Sequence, residues 1–541
     1  MTGTYAHRDD SKHSHDRTTE GTRVMAAETG GDRYARATAG GVQGPEVLRD
    51  LTDVVIDALV QGALDRDGPL PSGGPAPAAA RARAACAPVL PEQGVGAHDA
   101  LRSLVRATAR GSADPSDPYC AAGPYAPPLA LAAAADLAAS ALAPVADCRE
   151  EGPAAAVVER EVTEALATLV HPGRPAPGSV VTSGGDGANL AALLLARERA
   201  RDTGARTVQV VCGTNAHRSV HRAAWTLGLP TPLTVECPRG RMQPAALDRV
   251  LAECGGVASV PVLVVATAGT EDAGLVDPLS ELGQVAATHG ATFHVDAAYG
   301  GTLLFSERLA PRLDGIQYAH SVALDLHRLG LGGQPVTAGA LTVADGNTLG
   351  HLDPLDPVDP TCGSGLGSRS TGALKIAVTL RALGREGVAA LVENCVDGAD
   401  RLARAVEAHP ALRAYPAAGT HGISTVLFRP LAADELPRGE GDLLVAAVRR
   451  KLLADGSAVL GRTVATDADG VDKLWLKATL LHPGTATPPE PHGLLKRIAD
   501  TADSHGVATE AALHGRPVTL PAPAAADAAI AAHVRLHGAA A

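Results

Sequence analysis

Aromatic residues make up only 2% of the 541-residue chain, with three Phe and two Trp. The core must therefore be packed from Ala, Val and Leu, and an aromatic-lined substrate or nucleobase pocket is disfavoured. The eight cysteines, Cys86, Cys120, Cys148, Cys212, Cys237, Cys254, Cys362 and Cys395, include no C-x-x-C pair. That spacing signals neither a zinc site nor a disulfide framework, and no metal site is expected. No segment has the uninterrupted apolar length of a membrane span. The first thirty residues, with Arg8, Asp9, Asp10, Lys12 and Asp16, lack the apolar core of a signal peptide. A cytoplasmic protein is the expectation. Positive charge is not in excess either: 47 Lys+Arg face 59 Asp+Glu, a formal net charge of −12. This argues against nucleic acid or an anionic membrane as partner and leaves small molecules or other proteins.

What is present divides the chain by texture. Residues 1–43 are polar, charged and Gly-rich and cannot bury enough surface to offset chain entropy, so they read as a disordered tail. His13 and His15 in it are solvated side chains without an assigned role. Leu48, Leu51, Val54, Val55 and Leu59 have helical spacing within Glu46 to Leu64. A Pro/Ala/Gly-rich linker is expected from Gly68 to Glu92, then helices over Leu129 to Leu142 and Val157 to Val170. From Ser179 to Asp325 β-rich runs alternate with amphipathic helical runs, the pattern of an α/β domain with a mostly parallel sheet. The expected strands are Val180 to Thr182, Thr207 to Val211, Pro261 to Ala266 and Thr292 to Val295. Beyond Arg385, helices and strands at Ile423 to Phe428 and Leu474 to Leu480 suggest a smaller α+β domain. The division expected is 44–150 helical and dimer-forming, 151–385 large α/β, 386–515 small α+β, and 516–541 an Ala-rich tail.

Four features sit at the ends of successive β-rich runs. Thr182-Ser183-Gly184-Gly185-Asp186-Gly187-Ala188-Asn189 is a Gly-rich strand-to-helix turn whose amides can face an anion, though alone it is equally a tight turn. Ala216-His217-Arg218-Ser219-Val220 places a histidine where α/β sites collect side chains. Ala266-Thr267-Ala268-Gly269-Thr270 supplies small and hydroxylic residues. His294-Val295-Asp296-Ala297-Ala298-Tyr299-Gly300-Gly301 puts one carboxylate at a strand end, where it could cap a helix, bind a metal or contact a cofactor.

Together, in this order, the four features resemble the group II pyridoxal phosphate (PLP) dependent amino-acid decarboxylases over roughly Pro115 to Arg497. Asp314-Gly315, Ser321-Val322, Asp325 with His327, and Leu380-Arg381-Ala382-Leu383-Gly384 extend the match. The resemblance implies a fold type I, aspartate aminotransferase-like architecture, and a homodimer with its site at the subunit interface. It also implies PLP held by Ser183, Gly184, Gly185, Asp186, His217, Thr270, Asp296 and Ala298. His217 would stack on the pyridine ring, Asp296 would pair with the ring nitrogen, Thr270 would line the other edge, and His327 would sit beside the reacting carbon.

Four departures accompany the match. Asp325-Leu326-His327-Arg328-Leu329 has arginine where the family has the lysine that binds PLP covalently. A guanidinium, with a pKa above ~12, offers no free amine. The chain has six lysines, Lys12, Lys375, Lys451, Lys473, Lys477 and Lys496, and none lies in a strand-end motif. Asp186 replaces the usual phosphate-binding hydroxyl and would repel a phosphate by ~1–4 kcal/mol at contact range. His351 to Ser370 lacks the tyrosine of the family's mobile loop. Asp114-Pro115-Ser116-Asp117-Pro118 also replaces its His-Pro substrate segment. PLP is therefore expected to be noncovalent or absent. One reading is a repurposed enzyme acting on an amine, amino acid or small carboxylate, with His217, His327 and Arg328 as catalytic candidates. A second is a silent relative that binds a ligand or regulates a partner. The third is a conventional decarboxylase.

Overall fold

The computed structural model describes residues 37–122, 126–142, 152–255, 260–329, 338–352, 371–415, 422–481 and 491–512, with Tyr34 and Pro335. Most of both expected tails, the loop around Asp147 and residues 353–370 lie outside these.

Helices α1 (Gly44–Arg66), α2 (Pro75–Cys86) and α3 (Ala97–Gly111) open the chain. Helix α2 occupies the stretch expected to be a linker. Pro75 presets the first helical φ, and the alanines that follow are the strongest helix formers, so propensity overrides the low-complexity texture. Helices α1 and α3 touch backbone to backbone at Gly62, where a Cβ would lie 2.6 Å from that of Ala109. Strand β1 (Cys120–Ala121) and helices α4 (Ala130–Leu142) and α5 (Pro153–Val170) follow.

The large sheet then builds up from β2 (Gly178–Thr182), α6 (Gly185–Asp202), β3 (Gln209–Gly213), α7 (Arg218–Thr226), β4 (Leu233–Val235), α8 (Pro244–Gly255), β5 (Val262–Thr267), α9 (Leu279–Thr288), β6 (Thr292–Ala297), β7 (Ser321–Asp325) and β8 (Gly339–Val343). Its order is β2-β8-β7-β6-β5-β3-β4. Strands β3 to β7 pair in parallel, and β8 runs antiparallel to both β2 and β7. Helices cover both faces. Val162, Leu166, Leu247 and Leu282 pack on one, and Leu193, Val220 and Ala224 on the other. Strands buried on both faces lose alternation and read as short apolar runs, which is why β7 and β8 carry so little strand signal in the sequence.

Helix α10 (Thr371–Ala408) breaks at Gly384, with φ 62° and ψ −178°. It runs from the large core, through Ile376 and Val392, into a second core with Leu402 and Val406. That core is completed by β9 (Leu412–Ala414), β10 (Thr425–Pro430), α11 (Ala432–Glu435), α12 (Arg438–Asp455), β11 (Val459–Thr466), β12 (Asp472–Thr479) and α13 (Pro491–Ala512). The small sheet has the order β1-β11-β12-β10-β9, so a strand from the N-terminal region forms one of its edges.

The glycine loop is held by a close backbone approach. Gly184 has φ +135°, and a Cβ on Gly339 of β8 would stand 2.5 to 2.8 Å from three Gly184 backbone atoms. Gly339→Ala is expected to lower stability by about 1–3 kcal/mol, read as a fall in the urea midpoint with an unchanged m-value.

Candidate active site

Parallel strands β3, β5, β6 and β7 point their carboxyl ends toward one opening, the position at which open α/β sheets collect ligands. A cavity of about 290 Å³ lies there, at the low end of small-ligand pockets, roughly 300–1,000 Å³. The large sheet lines it with Gly185, Asp186, Asn189, His217, Thr267, Asp296, Ala298, Asp325 and Arg328, and the small sheet with Thr425, Gly461, Lys477 and Thr479.

A buried polar chain fixes the large-sheet side. Asn189, fully buried on α6, donates from Nδ2 to Asp296 Oδ2 and to Ser219 Oγ, each at 2.8 Å. Its Oδ1 accepts from His294 Nε2 at 3.1 Å, while His294 Nδ1 lies 2.8 Å from Ser321 Oγ. Asn189 has only those donors to give, so His294 Nε2 is the donor in its bond to Asn189 Oδ1, while Nδ1 faces both the hydroxyl and, at 3.1 Å, the backbone carbonyl of Ser321. Burial pushes the His294 pKa down to about 4, which keeps the imidazole neutral.

Asp296 accepts the Ala298 amide on Oδ1 at 3.1 Å and Asn189 on Oδ2. Burial pushes this carboxyl above the usual range, while Asn189, the Ala298 N–H, His217 and Arg328 pull it down. Each oxygen has one described donor and spare acceptor capacity beside the cavity. His217 caps α7, its Nδ1 accepting the Ser219 N–H at 3.2 Å, and its Nε2 lies 3.5 Å from Glu271 Oε2. It thus serves as a helix cap and as a wall of the cavity.

These elements coincide with a known family. A model of the pyridoxal-dependent decarboxylase conserved domain matches residues 125–429. The chain belongs to the pyridoxal-dependent decarboxylase family. It is 35% identical over 430 residues to an L-2,4-diaminobutyrate decarboxylase of Rhizobium meliloti, covering 76% of this chain and 83% of that one. It is 39% identical over 192 residues to a mouse cysteine sulfinic acid decarboxylase, covering 33% of this chain and 38% of the other. Among solved structures, the glutamate decarboxylase domain of a Vibrio parahaemolyticus diaminobutyrate-pyruvate transaminase and L-2,4-diaminobutyrate decarboxylase superposes with a TM-score of 0.76. That match has 26% identity and covers 87% of this chain and 98% of the other. The architecture is fold type I, a large mostly parallel α/β unit with a smaller α+β unit.

PLP is the family's cofactor, and the donor set can be tested against it. The ring end fits: a buried carboxylate with unfilled acceptor sites, bordered by an imidazole, suits a protonated pyridine nitrogen. At the other end, the amides at the N-terminus of α6 suit a phosphate, and Gly184 caps that helix without a side-chain bond. Asp186 stands in the same first turn, exposed, with Oδ2 accepting from Arg222 Nη1 at 3.1 Å and Oδ1 lying 3.5 Å from His217 Nδ1. It makes no capping bond. Arg222 offsets the repulsion expected of Asp186, though an exposed pair of this kind is worth only about 0.2–1 kcal/mol.

Not every expected residue reaches the cavity. Gly185, Asp186, His217, Asp296, Ala298 and Arg328 line it, whereas Ser183, Gly184, Thr270 and His327 do not. The Thr270 hydroxyl accepts the Leu275 amide at 3.0 Å inside its own turn. His327 turns back, with Nδ1 2.5 Å from Asp325 Oδ1 and its ring against Gly184. Arg328 Nε lies 3.5 Å from Asp325 Oδ2 but has no hydrogen-bond partner among the described residues. The Asp114 to Pro118 stretch serves as scaffold, with Asp114 accepting from Arg66. Sequence reasoning passed over Asn189 and His294 as functional side chains. Their one signal was a polar residue placed among helix and strand positions that are otherwise apolar. Lys477 and Tyr299 were also missed. Tyr299 lines the cavity, and its hydroxyl bonds Ser424 Oγ at 2.8 Å and Thr425 Oγ1 at 2.9 Å, joining the two sheets.

Burial gives His294 a pH signature. Its folded pKa of about 4 lies below the ordinary 6.5, so the stability it contributes is full above 6.5 and is lost as pH falls through 4. The loss is roughly 3 kcal/mol by linkage. His171, also pushed down to about 4 by burial, acts in the same direction. The urea midpoint should fall between pH 6.5 and pH 4, and fall less in His294→Gln. An identical slope in the variant would contradict a neutral buried imidazole.

Proposed function

We propose that this chain is a divergent PLP-dependent enzyme of the decarboxylase family, one that works on an amino acid or amine without an anchoring amine at position 328. The observation that carries the reading is the buried Asp296 carboxylate, held by Asn189 and Ala298 with acceptor sites left beside the cavity. A cavity with no positively charged ring to bind has no evident need for such a group, because burial disfavours the charge. When bound, PLP supplies an electron sink for bonds at the substrate's α-carbon.

This chain's residues divide the remaining work. Asp296 would hold the proton of the ring nitrogen, and the chain from Ser321 through His294 and Asn189 keeps that carboxylate in one orientation. His217, whose Nε2 edge faces Glu271, would cover the ring. Arg328 presents a permanent cation to the same cavity and suits a substrate carboxylate, which a planar guanidinium can grip with two parallel bonds. Support for a homodimer comes from α1, where Ile56, Val60 and Leu64 follow one another at four-residue steps and are each more than half exposed. Apolar side chains in a row on one helix face fit a contact with a second copy.

Two measurements test this. Titration of the purified chain with PLP, followed by absorbance and by equilibrium dialysis, should show saturable binding that Asp296→Asn weakens about tenfold or more, a loss of ~1.4 kcal/mol. Absence of binding would support a silent, PLP-free relative instead. A panel including L-2,4-diaminobutyrate and cysteine sulfinate, the compounds in the relatives' names, then reads the substrate by carbon dioxide release. Light scattering should give the mass of a dimer, with Val60→Glu shifting it toward the monomer.

A further inference from the structure

Position 328 offers the cavity no amine, yet among the described residues one lysine lines it. Lys477 extends from β12 directly opposite Gly461 of β11 in the antiparallel register. A Cβ on Gly461 would stand 3.1 Å from Lys477 Cε, so the missing side chain leaves the lysine stem its course toward the cavity. Its Nζ donates to the carbonyl oxygen of Glu271 at 2.9 Å. The carboxylate of that same Glu271 lies 3.5 Å from His217 Nε2, and His217, Glu271 and Lys477 all line the cavity.

The other described lysines are placed differently. Lys375 faces Asp136 at 2.9 Å, Lys451 faces Asp455 at 2.5 Å and Lys473 faces Asp467 at 2.8 Å. Lys496 is exposed on α13, away from the cavity. Lys477 ends on a neutral carbonyl and has no carboxylate within ion-pair distance among the described residues. A lysine held by one weak partner, at the mouth of a cavity, can exchange that partner for a ligand at little cost.

We propose that Lys477 is the residue that captures the PLP aldehyde, in place of the lysine that Arg328 replaces. The inference rests on the reading of this cavity as a PLP site. As the free amine, Nζ adds through its lone pair to the aldehyde carbon, and the carbon–oxygen bond then breaks. The oxygen leaves as water with both amine hydrogens, and a carbon–nitrogen double bond remains. The step is a condensation and needs no oxidant or reductant. The covalent tether would then come from the small sheet, while Asp296 and His217 would hold the ring from the large one.

The test is borohydride reduction of the full chain equilibrated with PLP, followed by digestion and peptide mass mapping, with dialysis on the same sample to measure bound PLP. The expected result is a phosphopyridoxyl adduct on the Lys477 peptide. It should vanish in Lys477→Ala and in the charge-conserving Lys477→Arg, and reappear at position 328 in the double variant Lys477→Arg, Arg328→Lys. Bound PLP without an adduct, or an adduct spread over Lys451 and Lys496 as in the denatured chain, would overturn the assignment while leaving the PLP site standing. No bound PLP would overturn both. Circular dichroism of Lys477→Arg separates loss of the anchor from loss of the fold.

Discussion

A buried asparagine amide holds the site together. Asn189 sits on the first helix after the glycine loop, yet its side chain satisfies three groups on two other elements: His294 and Asp296 on β6, and Ser219 at the start of α7. Each bond is short, fully enclosed and made to a group that would be costly to leave unpaired. The helix cannot slide along the sheet without opening all three. The glycine loop, the His217 cap and the Asp296 carboxylate therefore keep one geometry, although they are spread over more than a hundred residues of chain.

The same constraint explains the backbone around it. Gly184 and Gly339 must meet without side chains so that the loop can lie against β8, and Gly185 must leave room for Ala298. Asp325 then accepts the Gly185 amide at 3.2 Å from the end of β7. The carboxylate that precedes the altered position thus has a structural task of its own, independent of any covalent chemistry at residue 328.

Charge is distributed unevenly around the cavity. The large unit contributes Asp186, Asp296 and Asp325 with Arg328, and the small unit contributes Arg449 from α12 with Arg462 and Lys477 from its sheet. Tyr299 bridges the two by bonding Ser424 and Thr425. Movement of one sheet relative to the other would change how these charges face each other across the cavity, and the Tyr299 bonds to Ser424 and Thr425 oppose that movement.

Much of the fold was legible in the sequence because its signals are local. Strands β2, β3, β5 and β6 announce themselves as β-rich runs ended by glycine or hydroxyl residues, and the motifs at Gly184, His217, Thr270 and Asp296 fall at those ends in the family's order. The helix at Pro75 was hidden by its own composition, and β7 and β8 by being short and buried on both faces. The order of residues by itself determined the family, the strand-end positions of the polar groups and the absence of a lysine at 328, since each is a matter of residue type and spacing. Only the tertiary structure decided that Asn189 and His294 orient Asp296, that Thr270 and His327 turn away, and that Lys477 enters the cavity. Those facts depend on which side chains of distant segments share a space, and packing alone brings β12 over the ends of β3, β5 and β6.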